Sequence, residues 1–172
     1  MDKQLLHPVH HRKVPSLLPP YDNDVRIYTV VAGTVYNPLD TTPEGFPRLT
    51  PNSKTIIQPY GRMTAQHGHV VGVVRVKMAF EILKHFGNKH IDAEKAGLIP
   101  ITTIVLQCRD SLELAHVKDL LEEADLKVEE FLDDNPEYGP GKVRTAIGTW
   151  PVFPENVIGI TDYLPLLKPP KE

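Results

Sequence analysis

Two rhythms of apolar and polar residues organise this chain. Val25 to Val31 reads VRIYTVV, a β-branched and aromatic run followed by Gly33, and predicts a buried strand. Ile101 to Cys108, ITTIVLQC, predicts a second central strand. Shorter runs at Lys127 to Leu132 and Lys142 to Ile147 predict a third and a fourth, separated by the turn-rich stretch Asp133 to Gly141. Elsewhere the period becomes helical. From Arg62 to about His85, ended by Gly87-Asn88, Arg62, Gln66 and His69 fall four and three residues apart, within about 60° of arc. Val73, Val76 and Phe80 continue that stripe, and Val70, Val74, Met78 and Ile82 add apolar surface beside it, so the helix reads as sandwiched. Asp110 or Ser111 caps a second helix with Leu114, Val117, Leu121 and Ala124 on one face. Pro154-Glu155-Asn156 opens a last short helix through Val157, Ile160 and Tyr163. The order β-α-β-α-β-β-α predicts a small three-layer α/β sandwich, a four-stranded mixed sheet with helices on both faces.

The connecting segments set the domain limits. Residues 1–24 hold four prolines, three histidines and no usable period, which reads as an extended arm. Gly33 to Gly61 carries Pro38, Pro43, Pro47, Pro51 and Pro59; this spacing forbids a helix, and so long a connection reads as a functional loop leading into the first helix. Residues 88–100 allow one short helical turn before Pro100. A single α/β domain over 25–168, with a loop insertion at about 33–60 and a tail at 169–172, follows from a length that supports one substantial core.

Composition excludes some chemistry. The lone Cys108 rules out an internal disulfide and a thiolate metal cage, and within its apolar run it reads as a small buried hydrophobe. No window approaches eighteen consecutive apolar residues, and the His-rich start lacks the apolar core of a secretory signal, which predicts a soluble, cytoplasmic protein. The net charge of −3 conceals an uneven distribution. Between Arg48 and Lys89 stand seven bases (48, 54, 62, 75, 77, 84, 89) and one acid, Glu81. Between Arg109 and Glu137 there are eleven acids and three bases. The basic segment suits a polyanion such as RNA, and ordinary surface charge explains it equally well.

The chemistry concentrates at the start of the long helix. A face whose later turns want burial carries its first turns inward, so Gln66 and His69 are expected in a cleft where their hydrogen bonds must be met. Arg62 in a first helical turn adds to the positive end of the helix dipole, a conflict that a bound anion would relieve. His67, about 200° around the helix from His69, cannot share a metal with it. His7, His10 and His11 read as fortuitous in an unstructured arm, and Gly139-Pro140-Gly141 as a tight bend too short to cradle phosphate. Trp150 reads as core in preference to a stacking platform for a terminal base.

From Val25 to Leu167 the chain resembles the type II, archaeal and eukaryotic-type, peptidyl-tRNA hydrolases. Arg62-Met63-Thr64-Ala65-Gln66-His67-Gly68-His69 is similar to that family's helix opening of lysine, small residues, glutamine and histidine. Ile104 to Cys108 with Asp110 to Leu126 resembles its second strand and helix. Thr145-Ala146-Ile147-Gly148, Pro151 and the segment Val157 to Leu167 resemble its closing strand, turn and Leu-Leu ending. The chain departs from the family in having Arg62 for lysine and Asp133-Asp134-Asn135-Pro136-Glu137-Tyr138 for a segment of aspartate, alanine, glycine and threonine. It also has Lys142-Val143-Arg144 where the family carries further threonines.

The resemblance implies hydrolysis of the ester between a peptidyl group and a tRNA 3′ end, without metal or organic cofactor. Asp134, or Asp133 beside it, would orient water, Arg62 would hold a phosphate or the oxyanion, and Gln66 and His69 would fix the site's hydrogen bonds. Lys54, Lys77, Lys84, Lys142 and Arg144 are the candidate RNA contacts; Lys142 and Arg144, alternating on one strand face, read equally as solvated edge charges. The alternative is a relative that has lost catalysis and serves as a binding module for RNA, or for a protein partner through its proline-rich arm. The family resemblance also leaves a homodimer open.

Overall fold

The β-branched run that begins the domain extends to a twelve-residue strand, β1 (Arg26–Asn37). The computed structural model describes residues 24–37, 40–41, 47–48, 54–86, 101–138 and 141–171. The expected arm (apart from Asp24), the turn at 88–100, the Gly87-Asn88 helix end and the Gly139-Pro140 bend lie outside them. After β1 come β2 (Asp40–Thr41), β3 (Pro47–Arg48), β4 (Lys54–Ile57), α1 (Tyr60–Phe86), β5 (Thr102–Asp110), α2 (Ser111–Glu123), β6 (Val128–Asp133) and β7 (Val143–Thr149).

β1 organises the sheet. One edge runs parallel to β5, from Arg26↔Thr102 to Thr34↔Asp110, with α1 in the crossover that a parallel pair requires. The other edge is shared: Thr29–Val31 pair antiparallel with β7, and Thr34–Asn37 pair antiparallel with β4. β6 lies beyond β7 and completes a mixed sheet of five strands, with β2 and β3 forming a separate two-stranded ladder. The expectation of four strands and a loop over 33–60 is therefore corrected. Prolines exclude a helix but not a strand, and Val35 and the Thr55-Ile56-Ile57 run fit a pleated ladder.

Alternation along β1 divides the core between the two faces. Ile27 packs with Val74, Met78 and Trp150, and Val31 with Met63, Val70 and Ala146, all on the α1 side. Val30 and Ala32 meet Leu114, Val117 and Leu121 of α2 on the opposite side. Among the described residues the molecule is thus α/β with one helix on each face. Asp110 caps α2 as expected, its Oδ1 accepting from the backbone N–H of Leu112 at 3.0 Å and of Glu113 at 2.9 Å. Ala124 is exposed because α2 ends at Glu123.

Three further expectations change. α1 is covered on one side only: Met63, Gln66, Val70, Val74, Met78 and Ile82 are buried, whereas Val76 and Phe80 are 55% and 67% exposed. Two apolar stripes compete on this helix, and a single sheet covers the one about 100° from the expected stripe. The C-terminal helix is only a four-residue 3-10 turn, Pro154–Val157, followed by Gly159 at φ 81°, where a right-handed helix cannot continue. The segment beyond it instead covers the outer edge of β5: Gln107 N donates to Pro165 O and Leu167 N to Val105 O, both at 2.9 Å. Among the described residues no helix is long and apolar enough to cross a membrane.

Candidate functional site

α1 runs alongside β6 so that residues of one face of the strand meet the helix in the reverse order of its sequence. Glu129 pairs with Lys77, Phe131 stacks on His69, and Asp133 bonds Gln66. Residues two apart on a strand share a face, so of the neighbours Asp133 and Asp134 only one can point to α1. That residue is Asp133; Asp134, expected to be the water-orienting acid, is exposed. His69 is also exposed, its ring 4.7 Å from that of Phe131 and nearly parallel at 18°, not inside a cleft as expected.

Gln66 is the buried centre, only 3% exposed. Its amide orientation follows from its partners. The Asp133 carboxylate can only accept, so Nε2 must face it, donating to Oδ2 at 2.6 Å. Oε1 then accepts from the Thr145 hydroxyl. Thr145 is fully buried and reaches Gln66 through a register shift: Phe131 pairs with Ala146 but Leu132 with Arg144, leaving Thr145 as the extra residue of β7. The second Asp133 oxygen accepts from Asn135 N at 3.0 Å, which folds the loop after β6 back over the site.

That loop also supplies the environment of Arg62. Glu137, in the 3-10 turn Pro136–Tyr138, accepts from Arg62 Nη1 at 2.8 Å. The guanidinium carbon lies 5.7 Å from the centre of the Tyr138 ring, with the phenol oxygen 3.5 Å from Nη1. Tyr138 is wholly buried, and burial pushes its phenol above the usual range against the opposing pull of Arg62. Its hydroxyl donates to Gln58 Oε1 at 3.1 Å, while Gln58 Nε2 donates to the carbonyl of Ala32 at 2.6 Å. Gln58 therefore occupies the gap along β1 between β7 and β4, and couples the arginine to the sheet backbone. Burial of Gln58 and the two halves of its amide are matched as they must be.

His67, outside the expected site, faces the sheet with Nδ1 2.9 Å from the hydroxyl of buried Thr29; burial holds its pKa below the ordinary value. Cys108 fits the expectation of a buried hydrophobe, and burial pushes its thiol up to about 12. Trp150 is core, its indole N–H donating to Glu129 at 3.0 Å and its ring covered by the Lys127 ammonium at 4.4 Å.

The expected RNA contacts divide. Lys77 is paired with Glu129, and Arg144 Nε lies 2.6 Å from Glu130 Oε2. Lys84 and Lys142 are exposed, and Lys54 belongs to β4. β7 is an interior strand between β1 and β6, so Lys142 and Arg144 do not mark a sheet edge. Among the described residues no group of three or more His, Cys, Asp or Glu side chains is arranged to hold a metal.

The structure thus brings together Arg62 and Gln66 with Asp133, and adds Gln58, Glu137, Tyr138 and Thr145. These additions come from three different segments and have no periodic signature; the only local signal is the acid-rich run 129–137 opposite a basic helix. Comparison of the chain with protein-family models and with curated proteins found no match.

Proposed function

We propose that this chain is a divergent peptidyl-tRNA hydrolase of type II fold, cleaving the ester that joins a peptidyl group to the tRNA 3′ end. The observation that carries the reading is the buried Gln66 amide held between Thr145 and Asp133 beside the Arg62 cation. Ester hydrolysis needs a water held by an acceptor and a donor facing the oxyanion. Asp133 is fixed through both carboxylate oxygens, yet each keeps a lone pair free for water. Water attacks the ester carbonyl, the bond to the 3′ oxygen breaks, and the proton lost by water ends on that oxygen, giving a carboxylic acid and a free 3′ hydroxyl. Arg62 would face the developing negative charge or the neighbouring phosphate; as a guanidinium it stays charged and donates no proton.

A second reading has one observation in its favour. Both atoms of the Gln66 amide and the Arg62 charge are satisfied within the chain, as in a structural network on a binding module that has lost catalysis. Incubation of the purified protein with a peptidyl-tRNA separates the two. Ester cleavage that Arg62→Ala and Gln66→Ala both diminish supports the hydrolase. Salt-sensitive tRNA binding without turnover supports the binding module, and neither cleavage nor binding contradicts both.

A further inference from the structure

Arg62 already has an anion, and the chain itself supplies it. The Glu137 carboxylate lies 2.8 Å from Arg62 Nη1, but the pair faces water, with side chains 28% and 60% exposed. A solvent-facing ion pair of this kind is weakly held. The other side of the arginine is built differently. The buried Tyr138 ring lies against the guanidinium, and its hydroxyl is tied through Gln58 to the β1 backbone. Arg62 therefore keeps its alignment when Glu137 leaves.

We infer that Glu137 is a specificity-determining residue: it occupies the anion position of Arg62 and yields only to a phosphate delivered by a larger polyanion. This rests on the reading of the Arg62 corner as the place where tRNA is handled. An incoming anion must displace Glu137 from a loop that also carries Asp133 and Asp134, so a small free anion gains the Arg62 contact only against that local excess of carboxylates. A polyanion held elsewhere, for instance by the exposed Lys84 or Lys142, presents its phosphate at a high effective concentration and overcomes that competition. The backbone of the turn that carries Glu137 is held independently of its contact with Arg62. Its turn is fastened by Asn135, whose Oδ1 accepts from Glu137 N at 3.0 Å and whose carbonyl accepts from Tyr138 N at 2.9 Å, and neither bond uses the Glu137 side chain.

The test measures binding of two probes, inorganic phosphate and uncharged tRNA, to the full chain and three variants at low ionic strength. Glu137→Gln should bind phosphate roughly two- to fivefold more tightly than the native chain, the range expected for losing an exposed ion pair, with tRNA gaining no more than phosphate does. Asp134→Asn removes the same charge from the same loop without touching Arg62, and should move both affinities less. Adding Arg62→Gln to Glu137→Gln should erase the gain. The inference is overturned if Glu137→Gln binds phosphate no tighter, if Asp134→Asn matches it, or if the gain survives without Arg62. Should phosphate behave as expected while no variant binds tRNA, Glu137 keeps its role and the tRNA reading is the one that falls.

Discussion

Gln66 and Asp133, 67 residues apart in sequence, are joined by a 2.6 Å hydrogen bond from Nε2 to Oδ2. It links the second turn of α1 to the last residue of β6, and Thr145 closes the other side of the same amide. A buried amide between two committed partners costs more to remove than to keep, because truncation leaves both partners without their bond.

Gln66→Ala should therefore destabilise the fold by about 2–3 kcal/mol, whereas Asp134→Ala, on an exposed side chain, should stay within about 0.5 kcal/mol. Urea unfolding of the two variants checks this. Equal midpoints would mean that the network contributes nothing to the fold.

Gly148, on the strand beneath α1, and the exposed glycines of α1 itself should respond in opposite directions. A Cβ at Gly148 would stand 3.2 Å from Val70 Cγ2 and 3.4 Å from Val74 Cγ2. Both are β-branched residues in a helix, with little freedom to turn away, so Gly148→Ala should cost about 1–2 kcal/mol. A Cβ at Gly68 or Gly72 would meet nothing within 4 Å, and alanine there should stabilise the helix by roughly 0.5–1 kcal/mol each. Thermal unfolding of the three variants reads both signs.

His67 gives the fold a dependence on pH. Burial lowers its pKa below the ordinary 6.5, so the unfolded chain takes up a proton before the folded one as pH falls. The stability linked to a neutral His67 is complete above about pH 6.5 and is lost as the pH drops through the lower folded value. His67→Gln should flatten the melting temperature between pH 7 and 5 relative to the native chain; an unchanged slope would assign that dependence to other groups.

Much of the architecture was legible because periodicity and capping are local signals. β1, β5 and the buried face of α2 follow from their apolar runs, and the Asp110 cap from its position before Leu114. β4 was hidden by the prolines around it, although its own residues are good strand formers. The buried face of α1 lies one position from the stripe that its spacing predicts, because two apolar stripes share the helix and only the sheet chooses between them. At the site, Arg62 and Gln66 were visible from their spacing. The choice of Asp133 over Asp134 depends on strand parity, and Thr145 reaches Gln66 through a bulge set by pairing with another strand. Gln58 and Tyr138 meet across 80 residues, beyond the reach of any local pattern.

The central claim, that Asp133 together with Gln66 and Arg62 forms a hydrolytic centre, is tested most directly by single-turnover cleavage of a peptidyl-tRNA with Asp133→Asn compared with Asp134→Asn. The two substitutions remove the same charge from adjacent positions, one bonded to Gln66 and one exposed. Loss of a water-orienting carboxylate should slow Asp133→Asn by about 10²-fold or more and leave Asp134→Asn within about threefold of the native rate. Equal rates for the two variants, or a native chain that leaves the ester intact, would contradict the account.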